Sequence, residues 1–239
     1  MGDARIVRES LPRALAAPVA SPVLAAAQTN RRSTTNTASA RQALAGVSTN
    51  APAERVLELT GRNSYVQLPS NLIRGYRELT IEGWMRWDEA RSYSRFINLG
   101  AEDNRILIAN QTTNATLAFN LDLGRNASGT LTNEHVRGAN AIITQQWAHV
   151  AGVISDQGMK LYLNGNLLGS NSRARLPLRE VDAENYLGAG GTNRNLLHGA
   201  MDEVRLWKVA RTQQQIRENM TRSLKGTETE LIALWNFDD

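Results

Sequence analysis

The stretch Glu78-Leu-Thr-Ile-Glu-Gly-Trp-Met-Arg-Trp87 decides the fold class. Its odd-numbered positions, from Leu79 to Trp87, are apolar or glycine, and its even-numbered positions carry Glu, Thr, Trp and Arg. An alternation with a period of two residues is typical of a β-strand with one buried face. Similar short segments recur along the chain, and turn residues such as Asn164-Gly165 separate them. We therefore predict an all-β fold, a β-sandwich or jelly roll.

One helix is predicted, near the C-terminal end of the chain. Thr212-Gln-Gln-Gln215 has the pattern of a capping box, and Ile216 and Met220 follow on one helical face. We expect a short surface helix of about two turns before the last strand.

Residues 1–53 differ in composition from the rest. They contain no aromatic residue and hold four of the six prolines, so they cannot bury enough apolar surface to offset their ordering entropy. We predict an extended N-terminal docking arm or linker over residues 1–53 and one folded domain over residues 54–239. Within residues 14–27, an alanine-rich run resembles the core of a signal peptide, but two prolines interrupt it and we predict no signal peptide.

The excess positive charge of the chain lies in the arm. Residues 1–53 carry six arginines and two acidic residues, whereas residues 54–239 carry 21 basic and 21 acidic residues. We expect the arm to bind protein subunits of an assembly, in which the chain is oligomeric. The predicted assembly contacts are its arginines: Arg5, Arg8, Arg13, Arg31, Arg32 and Arg41.

The composition excludes several classes of protein. The chain has no cysteine, which excludes disulfide scaffolds, thiol catalysis, iron–sulfur clusters and zinc sites with cysteine ligands. No run of about 18 apolar residues is present, so no membrane-spanning helix is expected. Because residues 54–239 have no net charge, we expect neither a nucleic-acid partner nor a membrane partner.

Three groups of segments carry a family resemblance. The first is 57–66 with 78–87, the second is 147–153 with 160–165, and the third is 186–189, 199–207, the predicted helix and 234–238. In this order they resemble the laminin-G-like jelly-roll domains of the concanavalin-A-like lectin and glucanase superfamily, over about residues 54–239. The resemblance implies two packed antiparallel sheets, with the last strand returning beside the first.

A pair of carboxylates raises the question of catalysis. In Glu180-Val-Asp-Ala-Glu184 the acidic residues alternate, as they do in one glucanase family of this superfamily, and retaining glycosidases need two such groups. The resemblance, however, places this segment in a linking loop. We therefore predict a solvated acidic loop and no enzyme, with a glycoside hydrolase that uses Glu180 and Glu184 as an alternative.

Calcium is the cofactor that the resemblance allows, and no other is expected. Related domains bind it with an Asp near the first strand and with the Asp of a Gly-x-x-Asp-Glu-Val strand. Asp202 matches the second position, but Thr60 stands at the first. Loss of that carboxylate weakens a site for a hard cation. The alternative role for Asp202 is to accept hydrogen bonds at a strand edge.

Trp84, His149 and Trp207 have two interpretations. They are either a platform on which a sugar ring stacks, or structural residues packed beneath loops beside a cross-strand row of charges, and we favour the second. The loops rich in Asn and Arg are better candidates for ligand contacts, because such side chains suit sugar hydroxyls and carboxylates. The predicted ligand-binding residues are Tyr93, Arg95, Asn104, Arg125, Asn126, His135, Asn193 and Arg194.

These observations predict a non-catalytic module for binding or decoration. We expect the arm to anchor it in a larger assembly, such as a phage tail, a contractile injection system or a surface structure. The jelly roll then presents a lectin-like surface to glycan or protein, outside the cell or on a particle surface. A stand-alone carbohydrate-binding lectin-like protein is the alternative.

Overall fold

A computed structural model describes residues 4–8, 55–101, 103–176 and 184–238. These residues form fourteen strands and one helix. The strands are β1 (Arg5–Arg8), β2 (Arg55–Thr60), β3 (Val66–Leu68), β4 (Leu79–Trp87), β5 (Arg95–Ala101), β6 (Asn104–Asn110), β7 (Leu117–Arg125), β8 (Leu131–Gly138), β9 (Trp147–Ser155), β10 (Gly158–Leu163), β11 (Asn166–Asn171), β12 (Asn185–Leu187), β13 (His198–Trp207) and β14 (Leu231–Trp235), and the helix is α1 (Gln213–Asn219).

The strands form two antiparallel sheets, which confirms the predicted sandwich. The first sheet has the order β1-β2-β13-β4-β9-β10-β11, with β14 also paired to β13, and the second has the order β3-β12-β5-β6-β7-β8. β14 lies in line with β2, because β2 pairs with the first half of β13 and β14 with the second half. The Arg55 N–H donates to Asp238 Oδ1 at 3.1 Å. The last strand thus ends against the first strand of the predicted domain.

The main core lies between the two sheets. The predicted inner face of β4 is buried as expected, with Ile81, Met85 and Trp87 at 1% exposure or less. Gly83 lies on the same face, where a Cβ atom would sit 2.9 Å from Phe96 Cζ and 3.0 Å from Val204 Cα. The distance to Phe96, on the second sheet, is shorter than real Cβ atoms show, so the absence of a side chain at Gly83 lets the two sheets approach here.

The outer face of the first sheet is buried as well. The capping box of α1 is present as predicted, and Ile216 packs against Tyr162 and other residues on this outer face. Trp84 Nε1 donates to the Met220 carbonyl at 2.7 Å, and Trp207 Nε1 donates to Glu82 Oε1 at 2.8 Å. The structural interpretation of the two tryptophans is therefore confirmed, since buried rings offer no platform to a sugar.

A row of charges is buried beneath the helix. Arg205 Nη2 lies 2.7 Å from Glu203 Oε2, and Arg205 Nη1 lies 3.8 Å from Glu82 Oε1. Burial raises the pKa of Glu82, although Arg205 and Arg211 act in the opposite direction. Burial, assisted by Arg205 and Arg211, lowers the pKa of His149 to about 3. His149 is thus neutral in the folded protein at neutral pH.

The buried histidine predicts a pH-dependent stability. In the unfolded chain His149 takes up a proton below about pH 6.5, but in the folded protein it does so only near pH 3. Stability is therefore lost as the pH falls through this window, by about 1.4 kcal/mol per pH unit. Urea unfolding at about pH 6.5 and 4.5 should show a smaller loss in His149→Gln than in the native chain. Acidification acts on Glu82 with the opposite sign, and both proteins share that effect.

The exposed histidine His135 provides the control, since partial burial lowers its pKa less than full burial lowers that of His149, and His135→Gln should change the pH dependence much less than His149→Gln does. Equal pH slopes for the native chain and His149→Gln would contradict the burial of a neutral imidazole.

A short strand within the predicted arm belongs to the folded domain. β1 pairs with β2, with Arg5 opposite Glu58 and Val7 opposite Val56. Val7 also packs against the small cluster on the outer face that contains Trp84. The predicted boundary at residue 54 therefore misses these four residues, because two apolar residues between arginines gave too short a pattern to identify. Residues 9–54, with Arg13, Arg31, Arg32 and Arg41, lie outside the described part of the chain.

The packing of β1 predicts a measurable contribution to stability. Deletion of residues 1–8 removes the β1–β2 pairing and uncovers the cluster near Val56, at an expected cost of about 1 kcal/mol, or about 2–4 °C in Tm. Val7→Ala should reproduce part of this loss. Ile6→Ala should not, because the Ile6 side chain is 51% exposed. An unchanged Tm after the deletion would show that β1 does not stabilise the domain.

Candidate functional site

The outward side of the second sheet, which we call the second-sheet face, carries the candidate site. One row of residues crosses four of its six strands, β5, β6, β7 and β8. In this row two arginines flank two alanines, in the order Arg95, Ala109, Ala118, Arg137. Both alanines are buried. The two central strands of the row therefore carry small side chains, and the two outer strands carry long cationic ones.

The neighbouring row is mainly polar. Its order across the strands is Tyr186, Asn98, Leu107, Asn120, His135. The register of β5 against β6 shifts between Arg95 and Ile97, as in a β-bulge. Because of this shift, Arg95 and Asn98 lie on the same face although they are three residues apart. The two rows are thus adjacent on one surface.

Three side chains in these rows have polar atoms without a hydrogen-bond partner among the described residues. Arg95 is 3% exposed, and its Nε and Nη1 lack partners. Asn98 is 2% exposed and donates from Nδ2 to the Gly100 carbonyl, but its Oδ1 has no partner. Asn120 Oδ1 is buried and unpartnered in the same way. Buried polar atoms of this kind are costly, and they match the hydroxyl and acidic groups of a polar ligand.

Arg95 remains cationic in its buried position. Burial lowers its pKa to about 10, with a further lowering from Arg105 and opposing effects from Asp122 and Tyr93. The guanidinium carbon lies 6.0 Å from the centre of the Tyr93 ring. Tyr93 is 48% exposed and has a φ of 63°, an uncommon conformation for a bulky residue. The face therefore combines a shielded cation with an exposed aromatic ring.

A glycine-rich loop closes one end of the face. The Arg95 N–H donates to the Asn195 carbonyl at 3.1 Å, and the Gly190 N–H donates to the Arg194 carbonyl at 2.8 Å. A Cβ atom on Gly190 would lie 3.1 Å from Arg95 Nε. This close approach places the loop that contains Asn193 and Arg194 directly beside the buried guanidinium.

The third row of the face contains an ion pair. Arg105 Nε lies 2.8 Å from Asp122 Oδ2, so these two charges neutralise each other. No ion pair among the described residues involves Arg95 or Arg137. The three arginines and one aspartate of the face leave a net charge of +2, in a domain region whose sequence is neutral.

The eight predicted ligand-binding residues divide between two ends of the second sheet. Tyr93, Arg95, Asn193 and Arg194 lie at the loop end, and His135 lies on the polar row. Asn104, Arg125 and Asn126 lie at the other end.

The distant group has structural contacts. Arg125 Nε lies 2.7 Å from Asp103 Oδ2, and Asn126 Oδ1 accepts the Ser128 N–H at 3.0 Å within a hairpin turn. The structure thus brings five of the eight predicted residues to one face, and their contact with a ligand stays a prediction.

Sequence reasoning missed the polar residues within the strands. Asn98, Asn120 and Arg137 lie in strands, whereas the ligand contacts were predicted for loops rich in Asn and Arg. A signal was present, because Asn120 interrupts an apolar strand at an outward position. The bulge that brings Asn98 beside Arg95 has no such signal.

The described residues of the remaining candidate sites make contacts within the fold. Glu180 lies outside the described residues, and Glu184 accepts a hydrogen bond from the Tyr186 hydroxyl. Asp202 Oδ1 accepts the Glu203 N–H at 2.7 Å. Thr60 pairs with His198, four residues before Asp202, or about 13 Å along the strand. The described residues contain no group of three or more His, Asp or Glu placed to hold a metal ion.

An open cleft of about 550 Å³ lies at one end of the first sheet. It is lined by Arg86, Asp88, Glu89, Gln145 and His198. Its charged groups bind one another, with Arg86 Nε 2.9 Å from Asp88 Oδ1 and His198 Nδ1 2.9 Å from Glu89 Oε1. The cleft therefore offers fewer unsatisfied groups to a ligand than the second-sheet face does.

The helix of the described part is too short to cross a membrane, and we find no candidate span there.

Residues 60–217 match the family described as the concanavalin A-like lectin/glucanases superfamily. The chain belongs to this superfamily. The membership confirms the resemblance that the sequence segments indicated, and it agrees with the two-sheet jelly roll.

Among curated proteins, the superfamily member is 25% identical to pappalysin-1 of Mus musculus over 217 residues and to that of Homo sapiens over 218 residues. Each match covers 83% of this chain, but the chain spans only 13% of the length of either relative. The likeness therefore concerns one segment of a much larger protein.

Among solved structures, domain 4 of AbnA, a GH43 extracellular arabinanase from Geobacillus stearothermophilus, has a TM-score of 0.55 and 20% identity, covering 70% of this chain and 76% of that domain. The CBM40 of the Ruminococcus gnavus IT-sialidase has a TM-score of 0.53 and 12% identity, covering 66% and 97%. At these identities the likeness shows the fold alone.

Proposed function

We propose that this domain is a non-catalytic, lectin-like module that binds a glycan on its second-sheet face. The observation that supports the proposal is the set of unpartnered polar atoms on Arg95, Asn98 and Asn120, which lie in two adjacent rows. Sugar hydroxyls donate and accept hydrogen bonds and suit such groups. The exposed ring of Tyr93 beside them offers an apolar surface to a pyranose.

The fold is compatible with this role. Two of the structural neighbours were solved with oligosaccharides, domain 4 of AbnA with arabinotriose and the CBM40 with α2,3-sialyllactose. A glycan-binding module of this class is expected to act outside the cell or on a particle surface. The alternative glycoside hydrolase is less favoured, because Glu184 is engaged by the Tyr186 hydroxyl.

Substitution of the face amides tests the proposal. Asn98→Ala and Asn120→Ala should each weaken glycan binding about tenfold, because each removes an acceptor that only the ligand satisfies. Gln214→Ala provides the control, since this exposed amide lies on α1, on the opposite side of the sandwich. A glycan array followed by titration calorimetry with the strongest glycan provides the measurement.

If both face variants bind the glycan as tightly as Gln214→Ala does, the glycan does not bind on this face. A native chain that binds no glycan on the array would overturn the proposed function.

We further propose that residues 1–53 attach the module to protein subunits of a larger assembly, such as a phage tail, a contractile injection system or a surface structure. The charge distribution supports this role, because the segment has a net charge of +4 and the rest of the chain is neutral. A segment without aromatic residues gains order most readily on a partner. The pairing of β1 with β2 limits the proposed anchor to the residues after Arg8.

Two deletions separate the anchor from the edge strand. Deletion of residues 1–53 should release the chain from large particles, whereas deletion of residues 1–8 should leave it attached and only lower its Tm. The measurement is the sedimentation profile of the tagged chain in a lysate of its own cells. If the native chain sediments as a free monomer, or if deletion of residues 1–53 leaves its sedimentation unchanged, the anchoring role is wrong.

A further inference from the structure

We infer that the second-sheet face selects acidic glycans, and that Arg95 and Arg137 together hold a carboxylate or sulfate group above Ala109 and Ala118. This inference rests on the proposed glycan-binding function of the same face, and it names the ligand class that the function leaves open.

Two arginines carry the surplus positive charge of the face. Arg105 is neutralised by Asp122 at 2.8 Å, so it offers little attraction to a ligand. Arg95 and Arg137 have no ion pair among the described residues, and Arg137 is exposed. The surplus positive charge therefore belongs to the two arginines that bound one row of the sheet.

The row between these two arginines contains only small side chains. Arg95 and Arg137 are separated by β6 and β7, which amounts to about 14 Å at the usual strand spacing. Two arginine side chains that extend toward each other span most of this distance. Between them, Ala109 and Ala118 project only a methyl group each from the sheet. Both alanines are fully buried, so an anionic group of a ligand reaches the two guanidinium groups there only after the side chains that cover the row change rotamer.

The buried charge of Arg95 carries a free-energy cost. Arg95 is 3% exposed, and a shielded cation is costly unless an anion or several acceptors satisfy it. A neutral sugar leaves that charge uncompensated, whereas a carboxylate or sulfate forms charge-assisted hydrogen bonds with it. The unpartnered oxygens of Asn98 and Asn120 in the next row then accept hydrogen bonds from ring hydroxyls.

A ligand reaches Arg95 past the ring of Tyr93. The Tyr93 ring centre lies 6.0 Å from its guanidinium carbon, and Tyr93 is itself 48% exposed. An exposed side chain changes rotamer rapidly, so the ring can turn aside when a ligand enters. In that position the ring covers one face of the sugar.

A glycan array with neutral, carboxylated and sulfated members tests the inference on the full chain. The strongest acidic glycan is then compared with its neutralised form, obtained by carboxyl reduction or desulfation, in titration calorimetry. The acidic form should bind at least tenfold more tightly, and its affinity should fall as the salt concentration rises. If carboxyl reduction weakens binding, the recognised group is a carboxylate, and if desulfation weakens binding, it is a sulfate.

Matched arginine variants assign the effect to the row. Arg137→Gln should weaken binding of the acidic glycan about tenfold and leave the neutralised form unchanged, and its exposed position should leave the Tm unchanged. Arg95→Gln should act in the same direction. Arg77→Gln provides the control, because this exposed arginine lies in the loop before β4, away from the row.

The outcomes separate the two proposals. Equal binding of acidic and neutral glycans, or an Arg137→Gln variant with native affinity for the acidic form, overturns the acidic selectivity and leaves glycan binding in place. Absence of binding to every glycan on the array overturns the proposed function and this inference with it.

Discussion

Burial of the first sheet on both sides is the constraint on which the rest of the structure depends. Its inner face packs on the second sheet, and its outer face is covered by α1 and the neighbouring chain, where Ile216 and Met220 lie. A sheet covered on both sides has no broad surface for a ligand. The outward side of the second sheet is the other broad strand surface, and it is exposed on β8, at His135 and Arg137, whereas its central residues Asn98 and Ala109 are buried.

The buried charges of the two sheets have different consequences. Beneath α1, Arg205 is satisfied by Glu203 and by the Asn219 carbonyl, so its charge is compensated within the protein. On the second-sheet face, Arg95 has no such compensation among the described residues. A buried charge that the fold satisfies serves the fold, and one that the fold leaves unsatisfied indicates a ligand. The contrast between these two arginines is the physical basis for placing the site.

Much of the fold could be predicted from the sequence, because alternation and turn residues act locally. The β4 pattern, the Asn164-Gly165 hairpin and the capping box at Thr212 were all predicted correctly. Of the proposed site, Tyr93 and Arg95 were among the residues predicted from the sequence, and their contact with a ligand stays a prediction. The bulge that aligns Arg95 with Asn98 depends on the register between two strands, which no local pattern specifies. β1 was missed for a related reason, since its pairing partner lies far along the chain.

The two proposed roles use different parts of the sandwich. Arg8 and Arg55, the described residues on either side of residues 9–54, are paired at the same end of the β1–β2 ladder. β1 forms one edge of the first sheet, whereas Arg95 and Arg137 lie on the second. An anchor that pulls on the edge of the first sheet does not cover the outward side of the second. An anchor attached at this edge and a glycan bound on the second sheet would use separate strands, so that the two proposed roles do not compete for the same described residues.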